Sequence, residues 1–169
     1  MRRFELEAIS GIPLVDLSYP GAFPLSVDTI IRQNISGKVL HLFSGSSLIG
    51  DERIDIEHPN ATQKVNVKEF IAGDTRHWDY VILDPPYHIT LVDVKLNGYG
   101  IKGAVSSDVN FRRKLKFYFQ RRTDNILWLD VCAPMIKGFY RKKLWLVLPG
   151  GFHTVRVLSW LKREMKPLL

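Results

Sequence analysis

Four consecutive residues carry the densest chemistry in the chain: Asp84-Pro85-Pro86-Tyr87, set directly behind the apolar run Trp78-Asp79-Tyr80-Val81-Ile82-Leu83. Two prolines stiffen the segment and remove two backbone donors, which leaves carbonyl oxygens as acceptors. A carboxylate stands before them and an aromatic ring behind. Such a group can accept hydrogen bonds while offering a flat face, a combination that a plain turn at the end of a buried strand does not need. Two further signals precede it. Phe43-Ser44-Gly45-Ser46-Ser47 follows the mostly apolar stretch 38–43 and reads as a tight loop whose amides and hydroxyls can approach a ligand closely; alone, such a loop is usually only a turn. Asp55 lies at a second strand end, where a carboxylate can accept hydrogen bonds from both hydroxyls of a ribose. Taken singly it is a solvated acid. The five scattered histidines and Cys132, the one cysteine, have no metal-ligand spacing.

These residues need elements to hold them. Residues 26–33 have helical spacing, with Val27, Ile30 and Ile31 on one face, and Gly37 stops the helix. Residues 38–43 read as a buried strand and 53–57 as a second. Val65 and Val67 suggest a short third strand, and 67–72 one helical turn. The run 78–83 lacks alternation, so both its faces should be covered, as in a parallel sheet. A helix should open at Ser107 or Asp108, with Phe111, Leu115 and Tyr118 or Phe119 as its apolar stripe. That stripe sends Arg112, Arg113, Lys116 and Arg122 toward solvent. Residues 125–131 form another buried strand, and 143–148 and 152–160 flank Pro149-Gly150-Gly151, a hairpin signal. The pattern predicts an α/β fold: one domain over 1–169, with 1–24 an irregular lead-in, and an open, mostly parallel sheet with an antiparallel C-terminal edge hairpin. Ligands of such sheets bind beyond the carboxyl ends of the strands.

The chain of 169 residues suits a single core. It has no apolar run of membrane-spanning length, its first residues lack the apolar stretch expected of a secretory leader, and one cysteine excludes an internal disulfide. These features lead us to expect a cytoplasmic protein without a membrane partner. The net charge is +7 and is unevenly spread. Lys102, Arg112, Arg113, Lys114, Lys116, Arg121 and Arg122 face only Asp108 within 102–122, and Lys137, Arg141, Lys142 and Lys143 follow. Cations interleaved with Phe117, Tyr118 and Phe119 suit a nucleic-acid surface, with Arg112, Arg113, Lys116 and Arg122 as its candidate contacts.

At this point the chain resembles the amino-directed nucleic-acid methyltransferases of the class I, Rossmann-like type, through Asp84-Pro85-Pro86-Tyr87 at the end of the fourth sheet strand of that pattern. The resemblance implies that these four residues bind the target amino group, and that Phe43, Ser44, Gly45 and Ser46 bind the methionine part of S-adenosyl-L-methionine. It further implies that Asp55, with Ile56 beside it, holds the ribose end, that Asn66 contacts the adenine amino group, and that Tyr19, Pro20 and Phe23, in Tyr19-Pro20-Gly21-Ala22-Phe23, close over the methionine end. The match runs from about Tyr19 to Trp160. The four-residue motif is its specific part, and order and spacing support the rest.

The chain departs from the family in two ways. The interval between the first sheet strand and Asp55 is short, so the first crossover helix should be reduced. No segment of this sequence is long enough for a separate target-recognition domain, so specificity is expected to come from loops, a dimer partner or another subunit. The resemblance implies methyl transfer to an exocyclic amine, N6 of adenine in DNA being favoured. RNA methylation, at guanine N2 or adenine N6, and a non-catalytic binding subunit stand as alternatives.

Overall fold

The computed structural model describes residues 4–10, 23–86, 108–148 and 155–165. Its elements are β1 (Glu5–Ser10), α1 (Leu25–Asn34), β2 (Val39–Leu42), β3 (Glu52–Asp55), β4 (Gln63–Lys64), α2 (Val67–Gly73), β5 (Trp78–Leu83), α3 (Val109–Arg122), β6 (Thr123–Asp130), β7 (Phe139–Leu148) and β8 (Arg156–Arg163). All eight strands join one open sheet in the order β1-β7-β8-β6-β5-β2-β3-β4. Every pairing is parallel except those of β8, which runs antiparallel to both β6 and β7.

Strand residues alternate between two apolar layers. On one face Leu40, Leu42, Ile54, Val81, Leu83, Ile126, Trp128 and Leu161 pack with Val67, Phe70 and Ile71 of α2 and with Phe111, Leu115, Tyr118 and Phe119 of α3. On the other, Val39, Tyr80, Ile82, Leu127, Leu129, Trp145, Val147, Leu158 and Trp160 pack with Phe23 and with Val27 and Ile31 of α1. Strands β2, β5 and β6 are therefore covered on both sides, which explains their nearly continuous apolar sequences. Asp108 caps α3, its carboxylate accepting from the Phe111 amide at 2.9 Å. Asn66 caps α2 in the same manner.

The step from β2 to β3 crosses in residues 43–51 and that from β3 to β4 in residues 56–62, and neither carries a helix. Parallel neighbours usually need a dozen or more residues of crossover. Here side chains hold the two short connections on the sheet. The Arg53 guanidinium donates to the Gly50 carbonyl at 2.8 Å and the Asn60 carbonyl at 2.9 Å, and the Asn60 amide donates to the Ser46 carbonyl at 2.8 Å. The expected loss of the first crossover helix thus extends to the second crossover.

Several expectations need correction. The lead-in is not wholly irregular, because Glu5–Ser10 forms β1, in register with β7 from Glu5↔Lys143 to Ser10↔Leu148. The C-terminal hairpin is consequently not the sheet edge: β1 lies outside it, and β8 sits between β6 and β7. Strand β7 starts at Phe139 rather than Lys143, its charged first half including an irregularity between Arg141 and Lys143. Strand β8 runs to Arg163 because Arg163 anchors its end on the carbonyls of Phe119, Gln120 and Thr123. The short third strand is Gln63–Lys64, and Val67 already belongs to a two-turn helix.

Candidate functional site

From β2 the chain moves outward to β3 and β4, then returns to lay β5 on the opposite side of β2. The reversal between β2 and β5 is where open α/β sheets hold ligands, at the carboxyl ends of the strands. Both flanks of this crevice carry residues singled out by the sequence. After β2 come Phe43 and Gly45 at φ of 59° and 49°, with Ser44 between them. A non-glycine residue in the left-handed region is held there against a steric cost of about 1–2 kcal/mol. The fold supplies the restraint: the Ser44 amide bonds the Ile54 carbonyl at 3.0 Å, and the Phe43 ring meets Phe111 of α3 edge-on at 6.4 Å. Gly45 is the residue type for which such a φ costs least.

Asp55 organises this loop. Its Oδ2 accepts from the Gly45 amide at 2.9 Å, and its Oδ1 accepts from the amides of Glu57 and His58 at 3.1 and 3.0 Å. The carboxylate therefore joins the ends of β2 and β3, and a ribose there would share it with the backbone. Next to it in sequence Ile56 is 65% exposed and presents an apolar surface to solvent. Ser44 is fully buried, and its Oγ has no hydrogen-bond partner among the described residues. Ser46 is half-buried and contributes its carbonyl to Asn60. Asn66 is exposed, its side-chain carbonyl already accepting from the Lys68 amide at 2.9 Å.

On the other flank Asp84 follows β5 directly, with Pro85 buried and Pro86 half-buried. The Asp84 side chain is 7% exposed, and Arg156 Nη1 lies 3.7 Å from its Oδ2. Sequence reasoning missed Arg156, and it missed Asp130, which is wholly buried at the end of β6 and accepts from the Val131 amide at 2.7 Å. An acid closing a buried strand was a readable signal for Asp130, the same one that marks Asp84. Arg156 had none, since its importance comes from the antiparallel path of β8. Among the described residues no group of three or more His, Cys, Asp or Glu side chains is placed to hold a metal ion.

Tyr19, Pro20 and Tyr87 lie outside the described residues. Phe23 is buried and stacks on His41, ring centroids 5.2 Å apart and planes 10° apart. Its position ties the start of α1 to β2.

The basic residues of α3 divide differently from the expectation. Arg113 is exposed. Lys116 is half-buried, and so is Arg112, whose guanidinium reaches Cys132 Sγ at 3.4 Å and the Trp128 ring at 6.0 Å. Arg122 donates to the Thr75 carbonyl at 2.6 Å, near the start of β5 and hence at the end of the sheet opposite Asp84. The apolar stripe was read correctly, but positions flanking a stripe can still reach neighbouring carbonyls and rings. The exposed cations on this helix are Arg113, Lys114 and Arg121, the last stacked on Phe117 at 3.8 Å. No helix among the described residues is long and apolar enough to cross a membrane. Neither protein-family models nor curated proteins give a match to this chain.

Proposed function

We propose that this chain transfers a methyl group from S-adenosyl-L-methionine to an exocyclic amino group of a nucleobase, with N6 of adenine in DNA as the favoured acceptor. The observation that carries the reading is the placement of Asp84-Pro85-Pro86 and of the strained Phe43–Gly45 loop on the two sides of one crevice, at the carboxyl ends of β5 and β2. The strand order adds support. Leaving out the inserted antiparallel β8 and the outermost β1, the remaining six strands follow β4-β3-β2-β5-β6-β7, the 3-2-1-4-5-6 order of doubly wound dinucleotide-binding sheets.

The residues fit such a cofactor. Ser44 Oγ is a buried hydroxyl lacking a partner among the described residues, Gly45 admits close backbone approach, and Ile56 offers exposed apolar surface. When bound, the cofactor supplies an electrophilic methyl on a sulfonium. The chain's own task is to make an amine nucleophilic. Asp84 and the Pro85 carbonyl accept the two amine hydrogens, which localises the nitrogen lone pair and aims it. Positioning and electrostatics carry most of the catalysis. With the cofactor bound, displacement at its methyl would form the N–C bond and leave the S–C electron pair on sulfur. The nitrogen would then release one proton to Asp84, and from there it would pass to water. A base in a duplex must first be flipped out of the stack.

The test is incubation with methyl-labelled cofactor and either duplex DNA or RNA, followed by digestion to nucleosides. Label in N6-methyladenine from DNA supports the reading. Label in RNA alone transfers it to RNA. Absence of label together with absence of cofactor binding by calorimetry overturns it.

A further inference from the structure

Residues 131–138 connect β6 to β7 without a helix. They pass β8 on the face of the sheet that carries α3. Ile136 and Phe139 pack into that layer, and Gln120 of α3 donates to the Lys137 carbonyl at 2.8 Å. Beneath this crossover the sheet presents polar groups. Trp128 of β6 and Ser159 of β8 are register partners on that face, and both are wholly buried. Residues so opposed have Cβ atoms about 4.5–5.5 Å apart. Arg141 of β7 pairs with Leu161, the next residue of β8 on the same face, and its Nη2 donates to the Ala133 carbonyl of the crossover at 2.7 Å. Its side chain therefore ties the sheet to the crossover.

Trp128 Nε1, Ser159 Oγ and Arg141 Nε are all buried, and none has a hydrogen-bond partner among the described residues. Each can donate, and two of them can do nothing else. Buried donors are as a rule paired, so three in one patch call for an acceptor. A water molecule accepts from two of them, and its own hydrogens then need acceptors in an apolar layer. A monatomic anion accepts from all three and is balanced by the guanidinium charge. Asp130, buried two residues beyond Trp128 on the same face, opposes a doubly charged oxyanion more strongly than a single charge. We infer that the β6–β7 crossover and the sheet beneath it form a binding site for a small monovalent anion of the chloride type, with Trp128, Ser159 and Arg141 as its donors. The ion fastens the crossover to β6 and β8. The site shares no residue with the methyl-transfer crevice and stands apart from that reading.

The test is urea unfolding of the full chain in sodium chloride and in sodium gluconate at equal ionic strength, gluconate being too large to be enclosed. With chloride at about ten times its dissociation constant, the unfolding constant should be about tenfold lower in chloride than in gluconate. Ser159→Ala and Trp128→Phe each remove one donor and little volume, and each should bring the difference between the salts below about twofold. Arg141→Met keeps the aliphatic stem and should abolish the difference. Comparing two salts on one variant cancels any loss of packing, and Ser159→Ala alone carries the comparison if a larger substitution fails to fold. Crystals grown in sodium bromide should show an anomalous peak within hydrogen-bond reach of Trp128 Nε1 and Ser159 Oγ. A wild type equally stable in the two salts overturns the inference. So does a salt difference that Ser159→Ala and every other folded variant retain in full, or ordered water in place of bromide between those donors.

Discussion

Asp84 and His41 are both buried or nearly so. In the proposed reaction Asp84 accepts the amine hydrogens through its carboxylate, and Arg156 Nη1 lies 3.7 Å from that group. Asp84→Asn keeps the shape but removes the charge, so methyl transfer should fall by roughly 10²-fold or more, the scale of a lost preorganised group. Cofactor affinity measured by calorimetry should stay as in the wild type. His41 is held neutral instead. Burial presses its imidazole from 6.5 down to about 4, outweighing the hydrogen bond between Nδ1 and the Ile49 carbonyl at 3.0 Å. The unfolded chain takes up this proton near pH 6.5 and the folded chain does not. Stability is therefore full above pH 6.5 and declines as the pH drops toward 4, by up to about 3 kcal/mol. Urea midpoints at pH 7, 5 and 4 measure this, and His41→Asn, whose amide can stand in for Nδ1, should flatten the profile.

At the scale of elements, the turn between α1 and β2 depends on Gly37. It sits at φ 71°, and a Cβ there would come within 2.3 Å of Asp79 Oδ2. That same oxygen accepts from the Lys38 amide at 2.6 Å and so joins the starts of β2 and β5. Gly37→Ala should cost about 1–2 kcal/mol for the left-handed backbone alone, with a further loss from displacing Asp79, read as a lower denaturant midpoint at unchanged slope. Elements of this type were legible because their cause is local: an apolar run or a capping Asp108. The stop expected at Gly37 falls earlier, since α1 ends at Asn34 and Ile35 is already extended. The elements misread have distant causes. Strand β1 is exposed along most of its length; it is placed by its parallel ladder with the distant β7, where Lys143 also lies 3.3 and 2.8 Å from Glu5 and Glu7. The charged start of β7 is covered in the same way, Lys142 lying over the Trp160 ring at 3.5 Å. The site divides likewise. Asp84 could be read from the strand before it, whereas Arg156 matters only because β8 runs backward between β6 and β7.

Across the whole molecule, the basic surface has to be reassigned before it can be tested. Helix α3 is 14 residues long, so Arg122 stands about 20 Å from the end that opens beside the crevice. Nucleic-acid phosphates near Asp84 should meet Arg113 and Lys114. Replacing both with Ala should flatten the dependence of log affinity on log salt by up to about two units on duplex DNA. Arg122→Ala should leave that slope unchanged, and an equal effect from Arg122→Ala would move the nucleic-acid surface to the far end of α3. The sheet also has an order in time. Strand β3 meets β2 almost as soon as the chain turns, Leu40 pairing with Glu52, because the connections there are so short. Strand β1 must wait for nearly the whole chain, since Glu5 pairs with Lys143. Closing so long a loop is slow and leaves the joined strand the easiest to detach. Amide exchange should therefore be fastest in β1 and slowest in β6, with β1 opening as a separate unit well below the global unfolding free energy. During synthesis β1 is made first and stays unpaired until β7 emerges, and the Glu5–Lys143–Glu7 cluster is the latch that ends this exposure.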